Sequence, residues 1–201
     1  MTAAPSSDRA QARRQQVLEA AADCFRRRGF HAASMSEIAK TAGMSAGHIY
    51  NLFQNKDDII AAIVERDCAE VVARITELQQ ADDILQVMVA ETERAIDEST
   101  QVADAALELE VLAEASRNPR LAAVVQAGED QVHAKALELI RQSLGPAAAT
   151  LPPGEIVGRA LMLAALFNGL TALSVRQPRV GQHVGVMTPV MQRVLKLLLT
   201  A

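Results

Sequence analysis

Within four residues, His48, Tyr50 and Asn51 offer an imidazole, a phenol and an amide. His48 can bond a base edge or a phosphate, and Tyr50 and Asn51 can bond backbone phosphates, so the group suits a nucleic-acid surface. An exposed histidine on a short helix is ordinarily only solvated; its place in the chain has to decide. Just upstream, Gly43-Met44-Ser45-Ala46-Gly47 matches the G-x-S-x-G elbow of serine hydrolases, with Ser45 in the nucleophile's position. That elbow requires a strand before the serine and a sheet to hold an Asp and a His. The residues before Ser45 are helix formers, so the hydrolase reading is the weak one and no catalytic residue is expected. His133 and His183 stand alone, and Cys24 and Cys68 lie far apart with no CxxC or Cys/His cluster. Four suitably spaced zinc ligands are missing, so neither a metal nor a cofactor is expected, and both cysteines read as free thiols in helices.

The elements that must carry these side chains are short. Ser34 or Ser36 can cap a helix in which Ile38, Ala39 and Ala42 supply the apolar surface. Gly43 can take the left-handed geometry that ends a helix and turns the chain. Ser45 can cap a second helix, with Ile49 and Phe53 four apart on one face and Ala46, Gly47, His48, Tyr50 and Asn51 on or near the other. Two short helices about a glycine turn, the second free to face outward, make a helix-turn-helix.

The run Ile38-Ala39, Ala42-Gly43-Met44-Ser45, Gly47, Ile49-Tyr50, Phe53, Asn55-Lys56-Asp57 resembles the DNA-binding signature of TetR/AcrR-type regulators. The similarity reaches back through Arg28-Gly29-Phe30 and forward to Ile59, about the first third of the chain. It implies DNA contact by Ser34, Ser36, Ser45, Ala46, Gly47, His48, Tyr50, Asn51 and Lys56. Two departures stand out: Ala46 occupies a place where lysine is common, and Leu52 one where an aromatic or histidine is common. The resemblance also implies a cavity among the later helices, for which Met88, Glu91, Thr92, Leu107, Glu110, Val111, Phe167 and Asn168 are the candidate ligand-binding residues. Glu91 or Glu110, if buried unpaired, would favour a cationic effector. Asn168 is an amide in a very apolar helix and needs a partner there. The stretch from Glu108 to Gln131 is similar to the BetI-like branch, from which no choline-type ligand is carried over.

Composition agrees with helix. Of 201 residues half are apolar yet only 2% are aromatic, so alanine and leucine must fill the core. Residues 1–50 hold seven basic against four acidic side chains, a balance of +3, which leaves −7 for the rest of a chain of net charge −4. A basic end on an acidic body suits a protein that meets phosphates with one part only. No uninterrupted apolar run approaches the ~18 residues of a membrane span, and the first residues lack a signal peptide's pattern, so no membrane partner and a cytoplasmic location are expected.

Taken in order, residues 1–7 read as irregular, and a first helix runs from Asp8 to Arg28. A fourth, from Asn55 to about Gln80, spans ~35 Å and is a natural lever. A fifth starts at Asp82 and carries Leu85, Met88, Thr92 and Ile96 inward; a sixth covers Gln101 to Arg117; a seventh opens at Asn118-Pro119 and ends at Leu144. Residues 145–154 and 177–185 read as loops. The helix from Glu155 to Arg176 is apolar on almost every side and so should be buried on every side, and a last helix should open at Thr188-Pro189. These two exceed what one small bundle needs and should meet a second copy. The expected protein is all-α, with about nine helices: an N-terminal helix-turn-helix DNA-binding domain over 1–55 and a C-terminal ligand-binding and dimerisation domain over 56–201. Its expected partners are a double-stranded DNA operator, a small-molecule effector and its own twin. The rivals are a helical scaffold without DNA binding and the hydrolase using Ser45.

Overall fold

The computed structural model describes residues 5–200, and among these every regular element is helical. Ten α-helices follow one another: α1 Pro5–Arg28, α2 Met35–Thr41, α3 Ala46–Leu52, α4 Lys56–Leu78, α5 Ile84–Ala90, α6 Thr92–Ser99, α7 Val102–Ala115, α8 Pro119–Leu144, α9 Glu155–Arg176 and α10 Val184–Leu199. Short 3-10 turns occupy Gly145–Thr150 and Val180–His183, both within stretches expected to be plain loop. The all-α expectation holds. An irregular stretch over residues 1–7 does not, because α1 already runs from Pro5; residues 1–4 lie outside the described residues.

The chain forms two compact units. The first joins everything described up to Asp67 with Ala106–Val125; the second joins Cys68–Ala105 with the chain from Gln126 onward. In the first, the apolar stripe of α1 (Val17, Ala21, Phe25) is buried, as are Ile38, Ile49, Ile59, Ile60 and Ile63. Gly29 at φ +80 closes α1, and Phe30 turns back so that its ring meets Phe25 edge-on at 5.3 Å.

The second unit packs α10 against α5, α6 and α9. Its core is aliphatic: Ile96, Ile140, Leu144, Leu163, Met191, Leu195 and Leu199 are buried together. Thr92, Thr100, Ser174 and Thr188, buried hydroxyls among the described residues, each donate to a backbone carbonyl three or four residues back, Thr92 across the break between α5 and α6. Between α4 and α8 a Cβ built on Gly128 would lie 2.5 Å from Cys68 Sγ and 3.2 Å from its Cβ, so only a bare backbone fits there.

Three expectations need correction. The single helix expected from Asp82 is two, broken at Glu91, whose backbone sits at φ −87, ψ −1. Periodicity reads across the break because Met88, Thr92 and Ile96 keep helical spacing through it. The last helix starts at Val184 rather than at Thr188-Pro189, which leaves Pro189 inside it, without an N–H to donate. Most important, the single chain does not by itself bury α9 on every side. Among its residues only Ala160, Leu163 and Ser174 are buried, while Leu161 and Met162 are 55% and 56% exposed. By length and composition alone α9 could also cross a bilayer, a property that a search for uninterrupted apolar runs passes over.

Candidate nucleic-acid interface

The helix-turn-helix is built as the local residue types dictate. Ser34 Oγ accepts the Glu37 N–H at 3.2 Å and lies 3.0 Å from Ser36 Oγ, which caps α2. Ile38 and Ala39 are buried beneath it. At the far end the Met44 N–H reaches back to the Ala39 carbonyl at 2.9 Å, a closure that needs the left-handed Gly43, at φ +64. Gln16 Nε2 of α1 donates to the Ala42 carbonyl at 2.8 Å and pins the turn from behind. Ser45 Oγ then accepts the His48 N–H at 3.2 Å and caps α3.

This seating turns one face of α3 inward and the other out. Ile49 is fully buried and Phe53 nearly so, whereas Ser45, Ala46, Gly47 and Asn51 are exposed and Tyr50 is 54% exposed. His48 is half-buried, with its Nε2 3.4 Å from an Arg13 guanidinium nitrogen of α1. Of the neighbouring cations, the Arg14 guanidinium carbon stands 4.8 Å from the centre of the Phe53 ring, and Arg27 and Arg28 pair with Asp23 and Glu37 at 2.8 Å. Beside Tyr50 and Asn51 a hollow of about 470 Å³ is lined also by Arg14, Asp58 and Arg120, the last two paired at 2.8 Å.

Eight of the nine residues expected at a DNA surface therefore sit on the α2 and α3 side of the first unit with open or half-open side chains. Lys56 differs. Its Nζ donates to the Phe30 carbonyl at 2.7 Å and the His31 carbonyl at 2.9 Å, and stands 5.0 Å over the Phe30 ring. Two of its three N–H donors are committed to the α1–α2 turn. Ser45 likewise lacks the setting of a nucleophile elbow: helix, not strand, precedes it, and its oxygen is occupied by capping.

The candidate ligand residues fall in both compact units. Leu107 and Val111 are buried and Glu110 is exposed, all three in the first unit; Met88 and Phe167 pack on the aliphatic core of the second. Thr92 is buried with its hydroxyl on the Met88 carbonyl at 2.9 Å. Asn168, expected to need a buried partner, is exposed. The condition for a cationic effector fails at both acids: Glu91 pairs with Arg74 and with Arg94, and Glu110 accepts the Phe30 N–H at 2.7 Å. Sequence reasoning missed Gln16 and Arg13 as supports of the reader and Glu110 as a partner of the α1–α2 turn. Gln16 and Arg13 lie 26 and 35 residues from their partners and Glu110 lies 80 away, so no local pattern marks them.

Known proteins resemble the chain in both sequence and fold. A family model described as "Bacterial regulatory proteins, tetR family" matches residues 17–63, and one described as "BetI-type transcriptional repressor, C-terminal" matches residues 83–199. The HTH-type transcriptional regulator UidR of Escherichia coli K12 is 34% identical over 121 residues, a match that takes in 58% of this chain and 59% of UidR. Among solved structures, Salmonella enterica GusR superposes with a TM-score of 0.73 at 26% identity, covering 94% of this chain and 95% of GusR. FadR of Bacillus subtilis, solved with stearoyl-CoA, superposes with a TM-score of 0.64 over 92% of this chain and 97% of FadR; at 17% identity that likeness speaks to the fold alone.

Proposed function

The chain belongs to the TetR family of bacterial regulatory proteins, and on that premise we propose that it is a ligand-responsive transcriptional repressor that reads a palindromic operator as a homodimer. The observation that carries this reading is the face of α3: a helix anchored by Ile49, capped by Ser45, and turning Ala46, Gly47, Tyr50 and Asn51 to solvent. Small residues at its start let the backbone approach a duplex closely, and the polar groups later in the helix reach bases and phosphates. Ser34, Ser36, Ser45 and His48 complete the surface; Lys56 contributes one remaining donor. Residues 1–55 are the reader, and residues 56–201 hold the effector and dimerisation functions, with part of α7 and the start of α8 folded against the reader's own unit.

A second copy is the occupant that suits the exposed faces of α9 and α10. Val157 and Leu161 lie four apart on one, with Met162 beside them and the exposed Ala164, Ala165 and Gly169, and Val186, Val190 and Leu197 lie on the other. Small residues among large ones let two helices approach closely. Paired in this way, two α3 helices would stand ~34–36 Å or a multiple apart, the repeat of the major groove.

The effector reading is an apolar or amphipathic molecule. Phe167 is the one aromatic residue in Cys68–Ala105 and Gln126–Ala201, so that region cannot build the aromatic cage that holds a quaternary ammonium. Its buried hydroxyls are satisfied by nearby backbone carbonyls, which leaves few groups for a sugar, while Met191 in its aliphatic core and Met88 and Met187 packed against that core can adapt to an apolar shape. An effector weakens DNA binding only if it prefers the conformer that binds DNA poorly.

The test is selection of duplexes from a random pool by the full chain, followed by gel retardation. The reading expects recovery of a two-fold symmetric site and its loss on Tyr50→Ala in a chain that still melts normally. Recovery of no preferred sequence would overturn it.

A further inference from the structure

Gly29, Phe30 and His31 form the turn through which α1 passes to the α2–α3 reader, and this turn is held from both sides by charged groups. The Phe30 N–H donates to Glu110 Oε2 of α7 at 2.7 Å, while the carbonyls of Phe30 and His31 accept from Lys56 Nζ of α4 at 2.7 and 2.9 Å. Glu110 lies directly against the backbone, since a Cβ on Gly29 would sit 2.9 Å from its Oε1. One helical turn on, Glu114 reaches the His31 imidazole at 3.2 Å. A carboxylate and an ammonium thus grip opposite edges of one residue.

The bond is not one that burial forces. Glu110 is exposed, and an exposed carboxylate is satisfied by water, so its bond to an amide 80 residues away in sequence serves position rather than solvation. Meanwhile α7 does not belong wholly to the reader's unit: residues 102–105 are part of the second compact unit and residues 106–115 part of the first. A continuous helix carries a displacement of its first turn along its axis to Glu110.

We propose that Glu110 is a positioning residue for DNA reading, tying the α1–α2 turn to α7 so that the state of α7 and the occupancy of α3 by DNA are linked. The proposal rests on the DNA-binding reading above. Linkage is reciprocal, so it is detectable without knowing the effector: whatever α7 does to DNA binding, DNA binding does to α7 in equal measure.

The experiment is amide hydrogen exchange of the full chain with and without the duplex recovered by selection. In the native chain DNA slows exchange over residues 34–53 and also over residues 102–115. In Glu110→Ala the first effect persists, the second disappears, and the duplex binds roughly tenfold more weakly, the loss expected for one charge-assisted hydrogen bond. Glu110→Gln keeps an oxygen for the Phe30 N–H and restores most of both. A native chain whose residues 102–115 ignore DNA, or a Glu110→Ala chain that keeps their full slowing, overturns the proposal. If Glu110→Ala does not fold, exchange in the native chain still decides between the two outcomes. Failure of the native chain to retard any selected duplex is a different result, and it defeats the DNA-binding reading instead.

Discussion

Two helices of this chain, α3 and α9, each bury one face and leave the other to solvent, and the contrast between their open faces is instructive. On α3 the open face is small at its start and polar beyond, with a tyrosine and an asparagine standing clear of the surface. On α9 it is aliphatic, with Leu161 and Met162 more than half exposed. Polar groups lose little by waiting in water for a polyanion, whereas an apolar stripe of that length is costly to leave wet. The first face suits a ligand that comes and goes. The second suits a partner that stays.

The contrast can be broken from either side. Replacing the anchor of α3, Ile49→Ala, removes a fully buried side chain and should cost about 2–5 kcal/mol, read as a lower denaturant midpoint together with loss of DNA retardation. If stability hardly moves, the inward face of α3 is not what seats the reader. On α9, Leu161→Glu with Met162→Glu should leave helix content intact and yield monomers in sedimentation, with DNA affinity down roughly a hundredfold as the second half-site contact becomes intermolecular. A dimer that survives both charges would move the interface elsewhere, and association of the native chain with lipid vesicles would assign the stripe to a bilayer.

Smaller changes sharpen the reading of the reader itself. A Cβ on Gly43 would meet nothing within 4 Å, so Gly43→Ala tests backbone conformation alone, and roughly 1–2 kcal/mol should be lost to the left-handed geometry. Ser45→Ala removes a cap worth about 1 kcal/mol, a fall of about 2–4 °C in Tm. Because Ser45 also lies on the open face, that variant should lose DNA affinity beyond what its lost stability explains. Equal losses would make Ser45 a cap and nothing more.

How much of this could be read from the residues depends on the range of the interactions. The reader was legible because Ser34, Gly43, Ser45, Ile49 and Phe53 act on neighbours within five positions, where residue type and spacing decide the outcome. Helix starts with a strong local signal, such as Asn118-Pro119, were equally plain. The break at Glu91 was not, since apolar spacing runs through it unchanged. Lys56 was placed at the DNA by resemblance alone, and nothing nearby in sequence announces that its ammonium group reaches the carbonyls of Phe30 and His31. Likewise α9 looked fully buried because composition reports how apolar a helix is and not how many neighbours its own chain can supply.

The close passage of Gly128 past Cys68 ties together two positions sixty residues apart. Rotating the thiol relieves only part of the crowding, because the Cys68 Cβ is itself within 3.2 Å of where a new methyl would stand. Each site therefore bears on the other's size, and alanine at position 128 is eased when position 68 shrinks in step. Paired exchange is the route by which descendants of this chain can drift at that crossing with least strain.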